Sequence, residues 1–422
     1  MNFWRELTPA ARKTFVASFL GWTLDAFDFF LLTFVVSRVA ADFGRGIVDV
    51  TGAITLTLAC RPLGALIFGW IGDRFGRRTP LMIDVGLFSL IELLTAFSPN
   101  FTTFLVLRAL YGVAMGGEWG LGAALTMESL PAKRRGLFGG ILQEGYAVGY
   151  LLAAVAYALV AHFAPQFGLG HWDWRILFVV GTLPALLIFY IRAQVPESEV
   201  WESERRAHVT ESALAVFQPL LRYWPLALYT IALMAAFNFM SHGTQDLYPT
   251  FLQKQMGYSP ALTSALTILG SCGAIAGGIT FGAFSQRLGR RGSILICAVL
   301  GALVIPMWAL SPSIGMLALG VFAMQFMVQG AWGVIPSHLN ELSPAGVRGT
   351  FPGFTYQLGN LISAGAAQME AAYAKSHFAL PGGLADYGKA MSIIALVVFA
   401  AVFVLTAAGY LVHPENREAT FG

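Results

Sequence analysis

The chain has 422 residues, 56% of them hydrophobic and only 12% charged, with a formal net charge of +3. A soluble globular chain carries about 25% charge, so too few charges are present here to cover a water-exposed surface. Disorder needs the opposite balance and is excluded. The three Cys lie inside apolar runs and exclude a disulfide framework. A polytopic membrane protein remains.

A helix needs roughly 20 mostly apolar residues to cross a bilayer. Twelve runs meet this, at about 14–41, 48–72, 79–98, 102–130, 136–163, 174–195, 224–252, 259–285, 292–311, 313–341, 350–374 and 388–412. They are long and lack ten-residue alternation, which argues helices rather than a barrel. The expected fold is all-α, with twelve transmembrane helices. Residues 1–13 are short and polar, and span 1 carries acids, so a retained helix is expected rather than a signal peptide.

Polar and ionisable groups inside spans are costly and are functional candidates by default. In chain order, span 1 holds Asp25 and Asp28, three residues apart on one face. Span 2 holds Arg61. Span 3 holds Asp84 and Glu92, span 4 Arg108 and Glu118, and span 5 Gln143 and Glu144. Asp25 and Arg61 fall near mid-membrane at about 1.5 Å per residue. Asp84 lies near the end of its span, where snorkelling suffices and structural pairing is expected. Span 7 is densest, with NFMSHGTQDLYPT at 238–250. Asn238, His242, Gln245 and Asp246 follow i, i+4, i+7, i+8, a single helical stripe that should face a cavity. Gly243 and Pro249 weaken the outer end of that helix. Span 10 adds Gln325 and Gln329, and span 11 adds Tyr356, Gln357 and Asn360.

The chain also repeats. GWIGDRFGRR at 69–78 returns as GAFSQRLGRR at 282–291, and GEWG at 117–120 as GAWG at 330–333, each 213 positions later. Pro131 and Arg135-Gly136 return as Pro344 and Arg348-Gly349 at the same spacing. Two pseudo-symmetric six-helix halves are expected, 1–195 and 223–422, joined by a polar linker at 196–222. Parallel repeats with a site near mid-membrane are a transporter architecture. Most Lys and Arg fall on the side of the two Gly-Arg-Arg loops, which puts both termini in the cytoplasm by the positive-inside rule. A multi-pass plasma (inner) membrane protein is expected.

These features resemble the major facilitator superfamily over essentially the whole chain. GWIGDRFGRR is similar to its loop signature, Arg108 with Gly112 and Gly116 to its helix 4 pattern, and VPES at 195–198 to its exit from helix 6. The resemblance implies a cytoplasmic gate of Asp73, Arg74, Arg77 and Arg78. Asp73 would pair with a basic or helix-end group, and Arg77 and Arg78 would meet the neighbouring bundle. The second copy is read with Ser285 in the place of Asp73, which predicts a weaker or differently made latch. NxxSHxTQDxxxT in span 7 resembles the signature of the lactate/pyruvate:proton symporters, the fungal lactate permease-like family within the sialate:proton symporter group. YQLGN at 356–360 resembles that family's helix 11 segment, and GGEWG at 116–120 is typical of the wider group. The resemblance implies substrate roles for Arg61, Gln357 and Asn360. Sialate carriers have extra spans between the halves, where this chain has a short linker.

The residues lead to similar chemistry when read alone. A small carboxylate needs a cation or several donors. Arg61 offers a bidentate fork, and Asn238, His242, Gln357 and Asn360 offer donors from the other half. A monoanion entering a cell that is negative inside is opposed by roughly 2.3 kcal/mol per 100 mV, so one proton per anion makes entry electroneutral. Asp25, Asp28, His242, Asp246 and Glu118 are the proton-coupling candidates. The expected function is proton-coupled symport of short monocarboxylates such as lactate or pyruvate by a monomer, without cofactor, metal or nucleic-acid partner. Transport of a dicarboxylate, an aromatic acid or sialate is the alternative, and a non-transporting carboxylate sensor another. No metal spacing or catalytic triad points to an enzyme.

Overall fold

The computed structural model describes residues 3–207, 222–378, 380 and 385–415. The expected linker 196–222 therefore lies largely outside the described residues. The fold is all-helical. Among the described residues, ten helical segments are long and apolar enough to cross a membrane, from Pro9–Asp42 (span 1), Ile47–Phe75 (span 2) and Arg78–Ala96 (span 3) to Tyr387–Val412 (span 12). The other two expected runs each fold as a pair of shorter helices. Span 4 is Phe101–Met115 with Glu118–Ser129, and span 11 is Phe351–Ser363 with Ala366–His377. The break in span 4 falls at Gly116-Gly117, where the chain crosses span 2 so closely that a Cβ on Gly116 would lie 2.2 Å from the Arg61 carbonyl oxygen.

Each half is tied by the same device at the end that carries the Gly-Arg-Arg loops, called here the arginine end. Spans 2 and 8 (Pro260–Leu288) stop at Gly76 and Gly289, whose φ values of +103° and +92° few other residues adopt. The next residue turns back into its own half. Arg77 donates to Gly72 O at 2.7 Å, Asp73 at 2.9 Å and Glu128 at 3.0 Å. Arg290 donates to Ser285 at 2.6 Å and Gln286 at 3.0 Å, and reaches Glu341 with two bonds of 2.7 and 2.9 Å. Glu128 and Glu341 are themselves 213 residues apart. A second carboxylate caps the helix that follows each loop. Glu197 accepts the Arg77 N–H at 2.8 Å, and Glu415 accepts the Arg290 N–H at 2.6 Å.

Two expectations are corrected here. At the 213-residue spacing the counterpart of Asp73 is Gln286, while Ser285 matches Gly72. The second latch is differently made, because both of its side chains bond Arg290. The described contacts of the arginines stay within their own half. Arg77 is fully buried in its own half. The Arg78 guanidinium binds Arg192 O, and Arg74 lies over Phe75 with 5.6 Å to the ring centroid. Asp73 makes the crossing instead. Its carboxylate accepts Gly349 N–H at 2.7 Å, Thr350 N–H at 3.0 Å and the Thr350 hydroxyl at 2.6 Å. These groups open span 11, so a carboxylate meets the positive end of a helix dipole.

The halves also meet along a seam of glycine at the arginine end, between spans 5 and 8. A Cβ on Gly136 would lie 2.4 Å from Gly282 O, and one on Gly140 2.5 Å from Gly278 O. Ser337, fully buried, donates to Arg135 O at 2.8 Å across the same seam. Backbone therefore packs on backbone, and small-residue contact of this kind lets membrane helices approach closely.

Asp73→Asn keeps the shape and removes the charge that draws four donors, three of them from the start of span 11. A charge-assisted bond is worth about 1.5–3 kcal/mol, so the closed seam should weaken by about tenfold or more in population. The check is labelling of a Ser337→Cys probe in a protein whose native Cys are replaced by Ser. The labelling rate should rise by about that factor; an unchanged rate would remove Asp73 from the closure.

Candidate binding site between the halves

Arg61 is placed by the crossing of spans 2 and 4. Gly112 and Gly116 rest on the carbonyls of Thr57 and Arg61, and the Thr57 hydroxyl donates to Arg108 O at 3.0 Å. The guanidinium binds Asp25 of span 1 at 2.7 Å, with side-chain exposures of 4% and 1%. It also stands 5.8 Å from the Phe29 ring. Arg61 Nε and Asp25 Oδ1 are buried and have no hydrogen-bond partner. The pair thus holds spare donor and acceptor capacity in a place where a planar anion could compete for the fork.

Other acids surround this pair. Asp28, Asp84, Glu92 and Glu118 are all fully buried. Arg108 takes Glu92 as its ion-pair partner and lies 4.1 Å from the Tyr111 ring centroid. The oxygens of Asp28 and Glu118 have no hydrogen-bond partner. Asp84 was expected to snorkel and pair; it does not snorkel, because helix packing encloses it, and it lies within reach of the Gly117 N–H and of Arg61. Low-dielectric packing does not accept unpaired carboxylate charge, at a cost of several kcal/mol per ion.

An aromatic layer closes the arginine-end side. Tyr356 of span 11 stacks on Trp119 of span 4 at 4.4 Å, with Trp332 at 5.7 Å and Trp22 at 6.4 Å. Tyr146 stacks on Trp22 at 5.7 Å. Gln143 holds two of these rings, accepting from Trp119 Nε1 and Trp22 Nε1 at 3.3 Å. Trp119 and Trp332 are the repeated tryptophans of GEWG and GAWG. Sequence reasoning used them only as markers; their shared spacing was the signal that both reach one layer.

The second half contributes less as a stripe than as separate contacts. His242 Nδ1 lies 3.0 Å from Asp246 Oδ2, and these side chains remain 33% and 37% exposed. Gln245 instead turns to Gln325 of span 10 at 2.8 Å, and Ser241 meets Gln329 at 3.4 Å. Asn238 is buried and donates to Met234 O on its own helix at 2.8 Å. The helix loses regular winding after Gln245, and a π-helical turn follows at Phe251–Gln255. Gln357 is buried, and its amide nitrogen and oxygen have no partner. Thr350 packs on Gly69 and Gly353 on Ala65. One further turn along each antiparallel helix sets Gln357 level with Arg61. Asn360 is half-buried one turn beyond. Tyr146 lies within electrostatic reach of Arg61, Asp25 and Asp246, so both halves act on one region. Glu370 of span 11, buried and without a partner, lies within reach of Asp246. It was missed because it sits at the polar end of its run.

Removing one partner of a buried pair costs about 3–5 kcal/mol. Arg61→Gln alone should therefore lower thermal stability in detergent markedly, and Arg61→Gln with Asp25→Asn should recover most of the loss. Additive losses in the double variant would mean that the two groups are energetically independent.

Comparison with known proteins agrees with this architecture. The family model described as Major Facilitator Superfamily matches residues 18–367. A carboxylic acid transporter protein homolog of Saccharomyces cerevisiae is 31% identical over 432 residues, covering 95% of this chain and 69% of that one. A probable 4-methylmuconolactone transporter of Cupriavidus pinatubonensis is 29% identical, covering 97% and 92%. The structure of the proton:xylose symporter XylE superposes with a TM-score of 0.75 over 98% of both chains at 17% identity, which speaks for the fold alone. With its long apolar helices, a repeated arginine latch and the family model's match, the chain belongs to the major facilitator superfamily, a family of transporters rather than enzymes.

Proposed function

We propose that the protein is a proton-coupled symporter of short monocarboxylates such as lactate and pyruvate, working by alternating access between two six-helix units, 1–195 and 223–422. The observation that carries this reading is the buried Arg61–Asp25 pair, set level with the unpartnered amide of Gln357. A substrate carboxylate takes the Arg61 fork and displaces Asp25. Asp25, left without its cation, takes a proton, and anion and proton travel together. Gln357, Asn360 and Asn238 shape the site from the second half. His242 and Asp246, still exposed on the far side of the aromatic layer, receive substrate and proton first. Asp28 and Glu118 are the reserve proton carriers. The arginine end is the cytoplasmic one, with both termini there and the membrane the plasma membrane, and Asp73, Arg74, Arg77 and Arg78 form its gate. The protein acts as a monomer.

A second reading keeps this site and changes the cargo to a larger organic acid. It is favoured by the relative whose name gives 4-methylmuconolactone as its substrate. Competition against labelled lactate in cells separates the two.

In proteoliposomes with an alkaline interior, labelled lactate should accumulate, and a protonophore should abolish the accumulation. Arg61→Lys should transport at under about a tenth of the normal rate, because an ammonium lacks the bidentate fork. Asp25→Asn should keep counterflow exchange and lose pH-driven accumulation. Continued accumulation by Asp25→Asn would move the proton to another acid.

A further inference from the structure

Span 5 carries an acid that neither the Arg61 site nor the latch uses. Its helix is interrupted at Glu144, between Arg135–Gln143 and Gly145–Phe163. The Glu144 N–H is shared between Gly140 O at 3.4 Å and Ile141 O at 3.2 Å, a loosened turn. The side chain leaves its own half. A Cβ on Gly278 of span 8 would lie 1.9 Å from Glu144 Oε1. Glu144 is 5% exposed, and Oε1 is buried without a hydrogen-bond partner. No ion pair involves it among the described residues. The carboxyl group is thus pressed against the backbone of the other half, at the inner end of the glycine seam.

Nothing titratable faces it from the helices packed there. Span 8 presents Gly278, with Gly282 one turn away; span 10 presents the Gln329 carbonyl and Gly333 against Gly278. Span 1 presents Trp22 and Thr23 beside Gly145, and Gln143 next to it is engaged with Trp119 and Trp22. The charged groups of the seam, Arg135 and Arg290, lie two turns nearer the arginine end, bonded to Met127 O and Glu341. At the 213-residue spacing the counterpart of Glu144 is Gln357, an amide. The second half therefore has no acid at the matching place.

We infer that Glu144 is a proton-sensitive gate of the transport cycle whose charge state follows the seam: protonated while the seam is closed, ionised when it opens. Closure presses the group into backbone with no cation, where ionisation is expensive. Opening admits water; the carboxyl O–H bond breaks, the electron pair stays on the oxygen, and the proton passes to water on the arginine-end side. Reclosure requires a proton to return. This deepens the proton-coupled reading and rests on it, by adding an acid that acts on the conformational step and leaves substrate binding alone.

The test uses full-length protein with a Ser337→Cys probe in the seam and the native Cys replaced by Ser, with Glu144, E144Q and E144D compared from pH 5.5 to 8.5. In the Glu144 protein, labelling should rise with pH by up to about tenfold per unit over the titrating range. E144Q should hold the seam closed and lose that rise, and E144D should retain it. Dividing the two labelling rates cancels the thiol's own ionisation. A ratio between Glu144 and E144Q that does not change with pH overturns the inference. Uptake separates the two levels of the argument. If the unaltered protein shows no response to a pH gradient, proton coupling itself fails; if it responds and E144Q responds equally, only the role of Glu144 fails.

Discussion

A guanidinium at mid-membrane depth needs a carboxylate beside it, and the first half of this chain is arranged around that need. Arg61 is reached by Asp25 only because span 2 lies against span 4 at glycine distance and span 1 is brought alongside. Arg108 and Glu92 repeat the solution one helix over. The supply of acid exceeds the supply of base: Asp28, Asp84 and Glu118 are buried within reach of Arg61 or Arg108, whose ion pairs go to Asp25 and Glu92. That surplus is a structural liability, because burying carboxylate charge without a paired cation is costly.

The two halves share a frame and divide the chemistry. The latch is built twice, down to the left-handed glycine, the buried arginine and the glutamate that receives it. The interior is not built twice. Asp25 is matched by Asn238, Arg61 by Ala274, Arg108 by Val321 and Glu144 by Gln357. Charge is concentrated in the first half; the second presents amides, one exposed His–Asp pair and the buried Glu370. The scaffold repeats, and the polar lining does not.

Much of this was legible in the sequence. The all-helical membrane fold followed from apolar length and the doubled arginine latch from the repeat, and depth alone put Arg61 and Asp25 at one level, where they pair. Partner choice was harder. Helical periodicity puts Asn238, His242, Gln245 and Asp246 on one stripe, yet Gln245 turns to Gln325 and Asn238 to its own helix. A stripe some 100° wide touches more than one neighbour, and the pattern does not say which. Similarly, three positive charges in a loop suggested reaching outward, whereas Arg77 turns inward because Glu128, far along the chain, waits there. Glu128, Glu197 and Glu415 lie at span ends, where a carboxylate looks like ordinary solvated polarity. The aromatic layer was hidden for another reason: Trp22, Trp119, Tyr356 and Trp332 are unremarkable in an apolar chain until four helices bring them together.

The bonds from Asp73 to the start of span 11 have a consequence for how freely the chain can vary. Two of the three donors are main-chain N–H groups, of Gly349 and Thr350. Every residue but proline supplies such a donor whatever its side chain. The lock therefore constrains its two sides unequally. On one side a carboxylate of the right length is required; on the other, the requirement is a helix that begins at the right place, with a small residue where Asp73 approaches. Substitutions in the second half can drift while the helix start is kept, and the first half cannot follow suit at Asp73.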